Sequence, residues 1–220
     1  EHPGQIAAII TEPMMLNAGA ILPEPGFLEG LREITTAHGI ILIFDETITG
    51  FRLGPSGAIG RFGVEPDLAI FGKAVAGGFP ASVLAGTADL MSRFAKGTNH
   101  SGTFNANVLA CAAIVHALAI MQSTPIYDTV ERTGGQLMAS LRGLFADFDL
   151  QLQVRGLPAA FHVAFDTADP VRSFADLQRA DSERYRRLVP HAIDSGVWIT
   201  GRGIWYVSGA RSRVESSMSN

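Results

Sequence analysis

The chain has 220 residues, 47% of them hydrophobic and 17% charged, which is enough to bury a sizeable core in one large or two small domains. Its net charge is -4 with a pI near 5.8, and its lysines and arginines are scattered, so no basic stripe exists to neutralise a phosphate backbone and nucleic acid is excluded as an expected partner. The longest apolar stretch, which includes residues 112–121 and contains His116, falls short of the roughly 20 residues that span a bilayer, so no membrane segment is expected.

Residues 5–11, QIAAIIT, form a short apolar run closed by Glu12 and Pro13, which predicts a buried strand and its loop. PEPGFLEGLREITTAHG, 23–39, opens with prolines, carries Phe27, Leu28, Leu31 and Ile34 at helical spacing, and stops at Gly39, so it predicts a helix. IILIF, 40–44, is apolar throughout, as expected of a strand covered on both faces, and ends at Asp45 and Glu46. DLAIFG, 67–72, and ASVLAG, 81–86, read as a third and a fourth strand. Strands alternating with helices predict a mostly parallel α/β sheet.

NANVLACAAIVHALAIM, 105–121, is apolar nearly all round, which predicts a helix packed inside the molecule or against a partner subunit. After Pro125 a long helical pattern runs to about Phe148. Strand candidates LQVRG and AAFHVAF follow, then a polar, arginine-rich helix around 173–195, then strand candidates GVWIT and IWYVSG. The second half therefore reads as a small α+β domain joined near residue 123, and residues 211–220 as a polar tail. Cys111 has no partner for a disulfide, which suits a reducing compartment, and a cytoplasmic protein is expected. The chain begins with Glu and not Met, which reads as a cut through a longer protein.

In an open parallel sheet, ligands collect outside the carboxyl ends of the strands. Three polar features fall at such ends: Glu12, the pair Asp45 and Glu46, and Lys73. Lys73 follows Asp45 by 28 residues, one strand plus one connection, so the two can face one crevice. An amine and an acid aimed at the same pocket suit pyridoxal phosphate, because the lysine forms the Schiff base and the carboxylate keeps the pyridine nitrogen protonated. Gly72, Gly77 and Gly78 let the backbone come close to something bulky beside the lysine. Plainer readings exist for each residue: a lysine beyond a strand is usually a snorkelling surface residue, and an aspartate there an N-cap. Glu46 reads as a brace of its loop through Arg52. The histidines at 38, 100, 116, 162 and 191 lack metal-ligand spacing and read as structural or exposed, and no GxSxG or GxxxxGK[ST] motif occurs.

The stretch LIFDETITGFRLGPSGAIGRFGVEPDLAIFGKAVAGGFP, 42–80, resembles the core of the class III pyridoxal phosphate aminotransferases, including the spacing from Asp-Glu to Gly-Lys. TEPMMLNAGAILPEPGFLEGLRE, 11–33, resembles the glutamate-1-semialdehyde 2,1-aminomutase branch, and Ile48 stands where ordinary aminotransferases of the class carry Gln. The resemblance, which runs from about residue 5 to about 210, implies fold type I: residues 1–122 as part of a large cofactor domain and 123–210 as a small C-terminal domain. It implies Lys73 as the Schiff-base lysine and proton shuttle and Asp45 as the partner of the pyridine nitrogen; burial and a nearby positive imine are expected to keep the Lys73 amine neutral when it serves as base. Thr47, where the family more often has Val, would lie against one face of the ring. Asn17 would hydrogen-bond the ring hydroxyl, although beside Gly19 it also reads as a turn residue. Thr103, in HSGTFNAN, resembles the threonine that reaches the cofactor phosphate of the other subunit, which implies a homodimer, although it also reads as the start of a helix.

Members of the family are about twice this long, and the half that precedes this stretch supplies the glycine- and serine-rich phosphate loop and the aromatic residue that stacks on the ring. Neither motif is found here, and the family's His-Thr pair after WYVSGA is replaced from Arg211 by an unrelated-looking tail, so a fragment is expected. Three functions stand open: amino transfer of the aminomutase kind, giving 5-aminolevulinate; an ω-amino-acid or amine transaminase using an external keto acid; and a silent module that binds through the apolar helix at 105–121.

Overall fold

Four short strands, β1 (Ala8–Thr11), β2 (Ile41–Glu46), β3 (Leu68–Phe71) and β4 (Val83–Gly86), pair in that order in the computed structural model, which describes residues 2, 4–165 and 170–209. The first three are parallel, and β4 runs antiparallel to β3. The connections are helical. α1 (Phe27–His38) joins β1 to β2 and ends at Gly39, whose φ of 64 is the left-handed geometry that a β-carbon disfavours. α2 (Gly57–Phe62) precedes β3, and α3 (Ala88–Ser92) follows β4.

Burial alternates along β2: Leu42, Phe44 and Glu46 are buried, and Ile41, Ile43 and Asp45 are half-exposed. Leu28 and Leu31 of α1 and Ile59 and Phe62 of α2 cover Leu42 and Phe44. Each of those two fully buried side chains contributes about 1.5–3 kcal/mol of transfer free energy. Arg32 of α1 ties down the strand ends through Asp67 at 3.0 Å, whose carboxylate also accepts the Leu42 amide at 2.7 Å. The opposite face of the sheet carries Ile10, 59% exposed, in register with Ile43. The prediction that β2 is covered on both faces is therefore half met, since this chain supplies cover for one face. Phe27 and Ile34 of α1 likewise stay exposed although they share the helical spacing of Leu28 and Leu31.

α4 (Val108–Ser123) starts three residues later than expected because the Asn107 side chain accepts the Ala110 amide at 3.1 Å and caps it. It lies against the 3-10 turn of residues Lys73–Ala76, yet none of its residues is fully buried. Packing inside this chain, one of the two expectations for this helix, is not what the structure shows. No single helix among the described residues is long and apolar enough to cross a membrane.

α5 (Ile126–Asp147) packs Val130 and Met138 onto a second, antiparallel sheet of β5 (Leu152–Leu157), β6 (Ala160–Phe165) and β7 (Ile204–Tyr206), in that order. Every residue of the central strand β6 is buried. The predicted helix at 173–195 is two: Ser173 caps α6 (Phe174–Leu177) and Asp181 caps α7 (Ser182–Asp194), because a side chain that satisfies a new helix's amides interrupts the one before it. The expected strand GVWIT is absent. Ile204–Tyr206 already occupies the edge of β6, and Trp198 is 88% exposed. The two sheets meet through the loop after β1, where Met14, Leu16 and Ala20 pack on Ile48, Ala160 and Ile204. The tail at 211–220 lies outside the described residues.

Candidate functional site

β2 and β3 are adjacent and parallel, with Asp45 opposite Ile70 and Glu46 opposite Phe71, so Asp45 and Lys73 leave neighbouring strands at the same carboxyl end. Asp45 is half-buried and accepts the Thr47 amide on Oδ1 at 2.9 Å; among the described residues its Oδ2 has no partner. Lys73 is exposed, with φ 45. Left-handed backbone costs a residue with a β-carbon roughly 1–2 kcal/mol, so the turn holds this lysine in an unfavourable conformation. The burial expected to keep its amine neutral is not supplied by this chain. Thr47 sits beside the turn: a β-carbon added at Gly72 would lie 3.1 Å from its Cγ2.

Glu12, at the end of β1, completes the group. Burial raises its pKa above the ordinary carboxylate range; the Leu16 amide lowers it, the Asp45 carboxylate raises it further, and Lys73 lowers it. The Asp45 and Lys73 charges are thus the smaller influences on this carboxyl, after burial and the Leu16 amide. Lys73 borders a cavity of about 480 Å³ that also takes in Phe51, Arg52, Tyr127 and Tyr206. The Arg52 guanidinium lies 4.8 Å above the Tyr206 ring, and burial lowers its pKa. Burial raises the Tyr206 hydroxyl, which Arg52 and Arg202 pull down and Glu12 pushes up. Lys73, Asp45 and Glu12 were legible as strand ends. Tyr206 was not, because an aromatic residue in IWYVSG reads as core.

Glu46 has a different duty from the one expected. It is fully buried and accepts Thr49 Oγ1 at 2.7 Å and the Ala58 and Ile59 amides at 2.8 and 3.0 Å. Its partners are the first turn of α2, not Arg52, because its side chain points to the face of the sheet that α2 covers. Asn17 is exposed in the loop after β1 and borders another cleft, of about 510 Å³, with His162, Tyr185, Arg186 and Arg202. Thr103 is exposed in the loop ahead of α4 and does not border the Lys73 cavity.

A parallel α/β sheet that delivers an amine and a carboxylate to the ends of adjacent strands defines the general class: a protein whose ligand sits at the carboxyl edge of the sheet. Residues 1–210 match the aminotransferase class-III family, and the chain belongs to it. It is 42% identical over 196 residues to the glutamate-1-semialdehyde 2,1-aminomutase of Methanothermobacter thermautotrophicus, covering 88% of this chain and 46% of that protein. The chain thus spans about half the length of the curated relatives it matches. Among solved structures, an omega-transaminase from Sphaerobacter thermophilus aligns with TM-score 0.84 and 33% identity over 92% of this chain and 47% of its own. A glutamate-1-semialdehyde-aminomutase variant from Pseudomonas aeruginosa, in complex with PMP, aligns with TM-score 0.82 and 30% identity over 93% and 48%. The architecture is that of the pyridoxal-phosphate-dependent transferases, fold type I, with a mostly parallel sheet.

Proposed function

We propose that the complete protein transfers amino groups with pyridoxal phosphate, in the manner of the glutamate-1-semialdehyde aminomutases, moving an amino group within one carbon skeleton to give 5-aminolevulinate. The observation that supports this is the register of β2 and β3, which puts Asp45 and Lys73 at the carboxyl ends of neighbouring parallel strands. The residues fit the cofactor: an amine on an exposed, strained turn, a carboxylate with one oxygen unengaged, a β-branched side chain beside Gly72 and a cavity bordered by Lys73.

Pyridoxal phosphate, when bound, supplies an aldehyde for amines and a ring that accepts electrons released at a neighbouring carbon. Lys73 Nζ would hold the cofactor covalently and, once displaced by a substrate amine, would be the base that moves the proton from the substrate α-carbon to the cofactor. Asp45 would pair with the ring nitrogen, Thr47 would lie against one ring face and Asn17 would donate to the ring hydroxyl. Thr103 acts across a homodimer interface, on the other subunit's phosphate. Residues 1–122 belong to the large cofactor domain and 123–210 to the small one. A lone exposed thiol, Cys111, supports a cytoplasmic setting.

The second reading, an ω-amino-acid or amine transaminase using an external keto acid, is favoured by the transaminase structure aligning as well as the aminomutase does. A silent assembly module is the third. In the complete enzyme, Lys73→Ala is expected to abolish the lysine–cofactor absorbance, and Asp45→Asn to keep cofactor binding but lower turnover on the order of 10²–10³-fold, the cost of removing one preorganised electrostatic partner. Unchanged turnover in either variant rules the assignment out. Activity without any keto acid selects the aminomutase reading; strict dependence on one selects the transaminase.

A further inference from the structure

Arg155 and His162 stand opposite each other on β5 and β6, and both reach out of their sheet to loops that carry candidate site residues. Arg155 Nε donates to the Gly19 carbonyl at 2.8 Å. Its Nη2 is 3.2 Å from His162 Nδ1, and His162 Nε2 is 3.0 Å from the Arg202 carbonyl. A guanidinium can only donate, so Nδ1 is the acceptor and the ring's single proton sits on Nε2, directed at Arg202. The tautomer is thereby fixed by its two neighbours.

The fit at both ends is tight. A β-carbon added at Gly19 would lie 2.8 Å from Arg155 Nη2, and one added at Gly203 would lie 2.5 Å from His162 Nε2. His162 is 4% exposed. Burial and then the Arg155 charge push its pKa down to about 4, and burial pushes Arg155 down to about 10. Among the described residues Arg155 has no carboxylate partner, and its Nη1 has no hydrogen bond. A half-buried cation left in that state is costly, and an apolar pair would fill the same space at lower cost. What the cation and the imidazole add is direction: three hydrogen bonds that lock the turn at Gly19 to the turn at Arg202. Asn17 and Arg202 both border the cleft between those turns.

We propose that Arg155 and His162 form a positioning couple that fixes the Asn17–Gly19 turn against the Arg202 turn, and so presents the Asn17 amide at a constant place to the ring hydroxyl of the cofactor. This rests on the reading of Asn17 given above. His162 borders the same cleft as Asn17, and in this proposal the couple acts on the cofactor through Asn17.

An amide donor on the ring hydroxyl favours the deprotonated oxygen and lowers the pH at which the lysine–cofactor absorbance titrates. In the full-length holoenzyme, Asn17→Ala and His162→Phe are each expected to raise that midpoint by about one pH unit and to weaken pyridoxal phosphate binding to the apoenzyme roughly tenfold. The double variant is expected to match the single ones, since both changes remove the same contact. Where His162→Phe fails to fold, His162→Gln and Arg155→Lys go through the same cycle. A His162 or Arg155 variant with a lower melting temperature but the wild-type midpoint and affinity overturns the proposal, as does a midpoint shift that adds fully to that of Asn17→Ala. A wild-type enzyme with no lysine–cofactor band sinks the functional reading together with this inference, whereas a normal wild-type band with an unmoved variant midpoint sinks this inference alone.

Discussion

Asp45 spends one carboxylate oxygen on the Thr47 amide and keeps the other open, whereas Glu46, the next residue, spends both oxygens on Thr49 and the first turn of α2. Two adjacent acids thus divide between a proposed binding duty and a structural one because successive side chains of a strand face opposite sides of a sheet. The sequence showed both at a strand end and could not assign them, since which face α2 covers is a tertiary fact. At the same scale, His162 makes a sharp prediction about acid stability. The unfolded chain takes up this proton near the ordinary 6.5 and the folded chain only at about 4, so stability falls as pH drops across that window and levels off below it. The difference corresponds to on the order of 3 kcal/mol. Melting temperatures of the full-length protein measured from about pH 7 to about pH 4 should decline more steeply for wild type than for His162→Gln. Parallel profiles would show that this histidine is not held neutral.

Helix α4 is the element whose sequence and surroundings conflict. Its apolar character was legible, and so was its need for cover; what the sequence could not say is that the rest of this chain leaves Val108, Leu109, Val115 and Ile120 between 57% and 79% exposed. An apolar helix on the turn that carries Lys73 is expected to be covered in the complete protein. Val115→Glu, which keeps helix propensity, should then cost the full-length protein at least ~2 kcal/mol, read from chemical denaturation, because it buries a charge. A change within ~0.5 kcal/mol would show that the face stays wet. The remaining elements explain why boundaries were harder to read than existence. β1 to β4 and α5 announce themselves by apolar runs, whereas the break between α6 and α7 depends on two capping side chains, Ser173 and Asp181, competing over a polar stretch with no periodicity to choose between them. GVWIT has strand composition, but a strand needs a partner, and β7 had taken it.

At the scale of the whole molecule, two sheets are joined by the loop after β1, and the cavity beside Lys73, the proposed site, is lined by the loop after β2, the turn after β3, α5 and the strand carrying Tyr206. The parallel order and the strand-end chemistry could be read from the sequence because they depend on local patterns. The contributions of Arg52, Tyr206 and the Arg155–His162 couple could not, because each depends on contacts between segments distant along the chain. The half-covered sheet and the site's exposure agree with a chain that spans about half of its relatives. The most direct test is chemical. Borohydride reduction of the full-length holoenzyme, followed by peptide mass mapping, fixes the cofactor to whichever lysine holds it, and this stretch offers only Lys73 and Lys96. The predicted result is loss of the visible band with the phosphopyridoxyl mass on the peptide containing Lys73; the mass on Lys96, on a lysine elsewhere in the protein, or on none would contradict the assignment of this site.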